Sequence, residues 1–235
     1  MIKSFSVDEI TKSFIQIANE AIESRGRFLV SLAGGSTPMK LYEKFADVKL
    51  DWTRVHFFWG DERCVPMDDD GNSFGQTKKI LFDKIGATNI HRVNTDLDID
   101  SATEDYLHTL SLFASPPLNF PRFDLVILGL GEDGHTASLF PNSIVDVNES
   151  VIAVTAHYQD RPANRVTLTQ KVFNEAKEIW FLVTGKNKAE ILNTVINGEK
   201  KLELYPAQRI QPTNGNLVWW VDEEAGNLIN KSMVE

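Results

Sequence analysis

Cysteine is almost missing from this chain: Cys64 is the single thiol among 235 residues. One thiol closes no internal disulfide and builds no cysteine-based zinc site, so the chain suits a reducing compartment. Long apolar runs are also lacking. None exceeds about five residues, as around 125–128, against the roughly 18 needed to cross a bilayer, so no membrane span is expected. Met1-Ile2-Lys3-Ser4-Phe5-Ser6-Val7-Asp8-Glu9 turns acidic where a signal peptide would carry its apolar core, and a cytoplasmic chain is the expectation. Positive charge is in short supply, with 24 Lys and Arg against 33 Asp and Glu. A formal net charge of -9, with the basic residues dispersed, disfavours nucleic acid and anionic membrane surfaces as partners. No metal is expected. No two of the histidines stand at ligand spacing, and Asp68-Asp69-Asp70 with Gly71 lacks the later glutamate of a calcium loop and reads as a solvated turn. No internal repeat, low-complexity segment or obligate protein partner is evident.

With 42% hydrophobic residues, the chain is long enough to bury one sizeable core, and a single domain over 1–235 is expected. Val7–Arg25 reads as an amphipathic helix, because Ile10, Phe14, Ile17, Ala18, Ala21 and Ile22 recur at three- and four-residue spacing. A buried strand over 27–32 follows, closed by Gly34-Gly35. Pro38 then opens a helix to about Asp47 with Thr37 or Ser36 as its cap. The same grammar of strand and glycine turn returns at 54–59, 123–128 and 178–184, with helices at 77–85, 102–113 and 188–196. Further strands are expected at 150–155, 165–168 and 217–221. Strands alternating with helices predict an α/β fold with a mostly parallel sheet covered on both faces.

Ligands of such sheets bind beyond the carboxyl ends of the strands, where four glycine-bearing loops are predicted here. Ala33-Gly34-Gly35-Ser36-Thr37-Pro38 offers glycines, hydroxyls and a helix N-terminus to an anion; the same fragment also reads as an ordinary capped turn. Gly60-Asp61-Glu62-Arg63 brings Arg63, which can grip a phosphate by two parallel hydrogen bonds, unless Asp61 or Glu62 simply pairs with it. Gly129-Leu130-Gly131-Glu132-Asp133-Gly134-His135-Thr136 satisfies the glycine spacing of a dinucleotide fingerprint, with Asp146 or Glu149 as acidic candidate. It does so midway along the chain rather than in a first βα turn. More specific is Asp133 two positions before His135, a spacing that lets a carboxylate orient an imidazole as general base. His56, His91, His108 and His157 read as structural or exposed. Arg165, in Arg165-Val166-Thr167-Leu168-Thr169, and Lys188, in Gly185-Lys186-Asn187-Lys188, complete the cations, while Lys186 reads as solvated. The chain is read without the serine elbow of a Ser-His-Asp hydrolase, which leaves water activated by His135 as the simplest nucleophile.

These blocks, with Phe57-Phe58-Trp59 before Gly60, Cys64-Val65-Pro66 after Arg63, Ala137-Ser138-Leu139-Phe140-Pro141 after Thr136, and Val183-Thr184 before Gly185, resemble the signature segments of the 6-phosphogluconolactonases in their order along the chain. The resemblance implies a three-layer α/β/α fold with a modified Rossmann-like sheet, related to glucosamine-6-phosphate deaminases and ribose-5-phosphate isomerases. It implies cofactor-free hydrolysis of the phosphorylated sugar lactone 6-phospho-D-glucono-1,5-lactone to 6-phosphogluconate, in the oxidative pentose phosphate pathway. His135 would activate water and Asp133 would orient it. Ser36, Thr37, Arg63, Arg165 and Lys188 would hold phosphate or sugar hydroxyls, with Gly34 and Gly35 giving backbone access. One departure stands out: where the family reads Ser-Asn-aromatic, this chain has Asn72-Ser73-Phe74.

Two rivals are weighed. A glucosamine-6-phosphate deaminase resembles the chain in several of these loops but needs a glutamate five residues after the histidine, where this chain has Phe140. A sugar-phosphate sensor of a transcriptional regulator would carry a DNA-binding module, and the residues before Arg27 hold one helix only.

Overall fold

The computed structural model describes residues 1–156 and 163–229. Its strands are β1 (Ile2–Ser4), β2 (Phe28–Leu32), β3 (Val55–Trp59), β4 (Asp61–Arg63), β5 (Leu125–Gly129), β6 (Val151–Thr155), β7 (Asn164–Leu168), β8 (Glu178–Val183) and β9 (Asn216–Val221). Six form one parallel sheet in the order β1-β9-β8-β5-β2-β3. The helices are α1 (Val7–Arg25), α2 (Ser36–Phe45), α3 (Ser73–Thr77), α4 (Asp83–Ile85), α5 (Ile99–Ser111), α6 (Gln170–Phe173) and α7 (Ala189–Asn197).

A parallel sheet must be covered on both faces, and the strands are written for it. Side chains alternate between two cores. Phe28, Val30 and Leu32, Leu125 and Ile127, and Trp180 and Leu182 enter one, under Ile10, Phe14, Ala18 and Ala21 of α1 and Leu41, Tyr42 and Phe45 of α2. Leu29, Val126, Leu128, Ile179, Phe181 and Val183 enter the other, beneath α5, α6 and α7. The fold is thus a mostly parallel α/β sheet between helical layers. In α1 the Ser6 hydroxyl accepts the Glu9 N–H, Asp8 and Glu9 sit in the first turn, and Gly26 ends the helix in a left-handed conformation. Phe14 on its buried face stacks on Phe45 (4.0 Å) and meets Phe28 edge-on (5.4 Å).

The structure departs from the sequence expectation in a second sheet. The strands expected at 150–155 and 165–168 do form, as β6 and β7, but they are antiparallel and stand apart from the main sheet with β4, in the order β4-β7-β6. Asp61–Arg63, read as a loop, is the short strand that joins them. The helix expected over 77–85 is three pieces, α3 and α4 with a π-helical turn Lys78–Phe82 between them.

The strand order fixes the place of the site. From β2 the chain steps outward to β3, and from β5 it steps the opposite way to β8 and β9. The loops leaving β2 and β5 therefore diverge and open a crevice at the switch point of the sheet.

Candidate active site

The loop after β2 begins with Ala33, whose N–H and carbonyl are both taken by the buried Tyr42 hydroxyl, at 3.0 Å each. This leaves the chain out of the sheet ladder and directs it into Gly34 and Gly35. Gly35, at φ 103°, is the N-cap of α2, and no side chain caps the helix. The expected cap on Ser36 or Thr37 is therefore corrected: both belong to the first helical turn. With no side-chain acceptor, the first-turn N–H groups are available to an anion. Thr37 Oγ1 lies 2.8 Å from Thr184 Oγ1 across the crevice floor.

The loop after β3 is held in the same way, by the Tyr106 hydroxyl on Trp59 N–H (2.9 Å) and carbonyl (2.7 Å). It runs into β4, which pairs with β7 so that Arg63 and Arg165 are direct cross-strand neighbours. Like charges opposite each other repel, and the site tempers this on one side: Asp61, hydrogen-bonded by Ser138 Oγ (2.6 Å), lies 3.9 Å from Arg165 Nη1. The suggested pairing of Arg63 with Asp61 or Glu62 does not occur among the described side chains. Arg63 Nη1 donates to Gly71 O (3.0 Å) and Ser73 Oγ (3.3 Å), and the buried Glu62 accepts backbone N–H groups.

The loop after β5 carries the imidazole. His135 Nδ1 lies 2.6 Å from Asp133 Oδ1, which also accepts the His135 N–H at 3.0 Å. Burial of the Asp133 carboxyl opposes its ionisation, but its bonds to the ring and N–H of His135 and the charge of that ring outweigh this, and its pKa lies below the ordinary aspartate value. The Phe140 ring stands 4.8 Å from that of His135 and 5.5 Å from the Arg165 guanidinium carbon. From behind, the loop is held by Ala207 N–H on Gly134 O (2.9 Å).

A crevice of about 330 Å³ is lined by Gly34, Gly35, Ser36, Thr37, Arg63, His135, Arg165 and Lys188. The structure thus brings eight of the nine residues named from sequence onto one surface, with Asp133 behind His135 rather than on the wall. Lys186 is exposed. Asp61, Gly131, Thr184 and Asn187 also line the crevice, and Ser138 holds Asp61, none of them given a site role from sequence. Gly131 could have been suspected, since it is a motif glycine two residues before Asp133 of the Asp-His pair.

Two sequence patterns lack their structural context. No helix follows β5 directly, so Gly129 to Gly134 is not a dinucleotide fingerprint, which needs a helix N-terminus there. Contrary to the expectation from sequence, the G-x-S-x-G spacing is present, in Gly71-Asn72-Ser73-Phe74-Gly75. It follows a turn rather than a strand, and Ser73 is 1% exposed with its hydroxyl against Arg63, so it is not a nucleophile elbow. His56 and His91 form a stacked pair, Nδ1 to Nε2 at 3.1 Å, against Phe113. His108 is exposed on α5, and His157 lies outside the described residues. Among the described residues no cluster of three or more His, Cys, Asp or Glu is arranged for a metal, and no helix is long and apolar enough to cross a membrane.

The fold and crevice define a class, that of α/β proteins with the ligand site at the switch point of a parallel sheet. Residues 3–219 match the family model described as glucosamine-6-phosphate isomerases/6-phosphogluconolactonase, and the chain belongs to that family. It is 40% identical over 212 residues to a 6-phosphogluconolactonase of Nostoc sp., covering 88% of this chain and 86% of the relative. It is 34% identical over 232 residues to that of Haemophilus influenzae, covering 95% of each. The crystal structure of 6-phosphogluconolactonase from Thermotoga maritima superposes with a TM-score of 0.84 at 31% identity, over 95% of this chain and 98% of that one. A monomeric glucosamine-6-phosphate deaminase shares the fold at a TM-score of 0.81, with 19% identity over 97% of this chain and 98% of that one.

Proposed function

We propose that the chain hydrolyses 6-phospho-D-glucono-1,5-lactone to 6-phosphogluconate, in the oxidative pentose phosphate pathway, with His135 as the base that activates water. The observation that carries the reading is the Asp133–His135 pair, 2.6 Å apart, on a crevice whose other walls hold Arg63, Arg165, Lys188 and the uncapped start of α2. In a chain of net charge -9, that gathering of positive groups is a local inversion of the overall field and suits an anionic substrate.

Asp133 fixes the tautomer in which Nδ1 carries the proton, making Nε2 the basic nitrogen. As water oxygen bonds to the lactone carbonyl carbon, Nε2 takes its proton and the carbonyl oxygen becomes an oxyanion. When the ring C–O bond breaks, the imidazolium returns the proton to the leaving ring oxygen. The phosphate goes to the side of Gly34 to Thr37 and Arg63, which adjoin one another. Arg165, next to His135 across the Phe140 ring, faces the reacting end. Phe140 also argues against deamination, since it places a hydrocarbon ring where a deaminase of this family would need a carboxylate. The half-buried lone thiol, Cys64, fits a reducing, cytoplasmic setting.

Purified protein is assayed against the phosphorylated lactone and glucosamine 6-phosphate, with spontaneous lactone hydrolysis subtracted. Turnover of the lactone alone, lost in His135→Ala while substrate still binds, is expected. Full turnover in that variant removes the proposed base, and deamination without lactone hydrolysis overturns the assignment.

A further inference from the structure

Both hydrogen bonds that the Arg63 guanidinium makes to described residues go to the turn 71–74, through Gly71 O and Ser73 Oγ. Its Nε has no hydrogen-bond partner among the described residues. The direction of this arginine is therefore set by the turn. The turn leads into α3, which has five residues and continues through the π-helical turn Lys78–Phe82 into α4.

Asn72 holds the turn from one side, its amide donating to Val65 O (3.0 Å) and Thr95 Oγ1 (3.3 Å), and what ties the turn to β4 is Glu62, 1% exposed on that strand. One carboxylate oxygen accepts Ser73 N–H (2.8 Å) and Arg63 N–H (2.9 Å), and the other accepts Phe74 N–H (2.8 Å). Ser73 in turn packs so closely against Gly34 that a Cβ on residue 34 would run into its hydroxyl. Burying a carboxylate is costly, and here the cost is offset by three backbone N–H groups that an apolar residue of the same volume would leave unpaired. Only a group with two acceptor oxygens can satisfy three N–H donors from β4 and the turn together.

We infer that Glu62 is a positioning residue for the phosphate end of the substrate: it ties the 71–74 turn to β4, and the turn holds the Arg63 guanidinium beside the start of α2. The inference rests on the reading above that Arg63 meets the phosphate. Ser73 is part of the same device, so in this chain the departure to Asn72-Ser73 puts a short hydroxyl, rather than an amide, between the arginine and Gly34.

The test compares Glu62→Gln, Ser73→Ala and Arg63→Ala in kcat and KM for the phosphorylated lactone and in competitive inhibition by inorganic phosphate. Glu62→Gln is expected to raise KM and the phosphate inhibition constant about tenfold, with kcat within about twofold, and Ser73→Ala to move both the same way by about threefold. Arg63→Ala is expected to exceed either. A merely structural role would lower the active fraction, and so apparent kcat, without moving KM or phosphate inhibition; that outcome in Glu62→Gln overturns the inference while leaving Arg63 in place. Should Glu62→Gln not fold, unchanged constants in Ser73→Ala overturn it instead. If Arg63→Ala itself leaves KM and phosphate inhibition unchanged, the assignment of Arg63 fails and the inference with it.

Discussion

Nδ1 of His135 and Oδ1 of Asp133 lie 2.6 Å apart because residue 131 has no side chain. A Cβ on Gly131 would stand 2.7 Å from that Asp133 oxygen and closer still to the imidazole. Space for the pair is thus made by a residue that takes no part in the chemistry.

Gly131→Ala is accordingly expected to push the ring away from the carboxylate while leaving the sheet intact. A displacement of about 1 Å at a reacting group costs on the order of 10²-fold in rate. Steady-state kinetics with far-ultraviolet circular dichroism check this, and a variant with native spectrum and full kcat would show that the pair tolerates the methyl group.

Much of this was legible in the sequence, for reasons that can be named. The helix Val7–Arg25 is read to the residue because its apolar positions keep helical period across it, and the structure adds the Ser6 cap and the Gly26 stop that hold the same ends. β4 is missed because all three of its residues are charged: Asp61 and Arg63 border the crevice while Glu62 turns inward to backbone donors, so no polar-apolar alternation marks it. The site's glycine loops could be gathered from strand grammar alone. The bond from Ser138 to Asp61, and with it the balancing of Arg165, could not, because it joins residues 77 positions apart through the antiparallel sheet.

Replacing the orienting carboxylate tests the imidazole's role from the other side. Asp133→Asn keeps shape but removes the charge that favours a protonated Nδ1, so the opposite tautomer becomes accessible. A fall in kcat of about 10²- to 10⁴-fold with little change in KM is expected, by analogy with other carboxylate-oriented histidines. A kcat within about threefold of the parent would remove Asp133 from the mechanism.

Tyr42 carries a different kind of load. Its hydroxyl is the partner of both backbone groups of Ala33, one residue before the glycines of the crevice. Tyr42→Phe leaves an N–H and a carbonyl unpaired in the core, which costs about 1–3 kcal/mol. Denaturant unfolding should register that loss at unchanged m-value. A variant as stable as the parent would mean that Ala33 finds other partners.

The His56–His91 pair makes the β3 edge sensitive to acid. Burial lowers the pKa of both, Arg27 adding to the effect on His56 and His56 to that on His91, which falls to about 4. Groups whose folded pKa is depressed contribute stability that is present above the ordinary histidine value of 6.5 and lost as pH falls through the folded value. The stability advantage of the parent over His91→Gln should therefore shrink as pH drops from 6.5 toward 4. Urea unfolding across that window measures it, and an advantage that grows on acidification would reverse the sign argued here.

Glu62 carries the opposite dependence. Burial lifts its carboxyl from 4.5 to about 7, against the pull of the Ser73, Phe74 and Arg63 N–H groups and the Arg63 charge. A folded pKa above the unfolded one means that the native state holds the proton more readily. The contribution to stability is fully present below 4.5 and lost as pH rises through about 7. At about 1.4 kcal/mol per pKa unit, the loss is on the order of 3 kcal/mol. Glu62→Gln does not titrate, and with one acceptor oxygen for three donors it is less stable than the parent at low pH by about 1–3 kcal/mol. As pH rises from 4.5 through 7, the parent alone loses stability, so the gap between the two should close or change sign. A gap that stays constant over that range would mean that the three N–H bonds, and not burial, dominate this carboxyl, and that Glu62 is ionised wherever the fold persists.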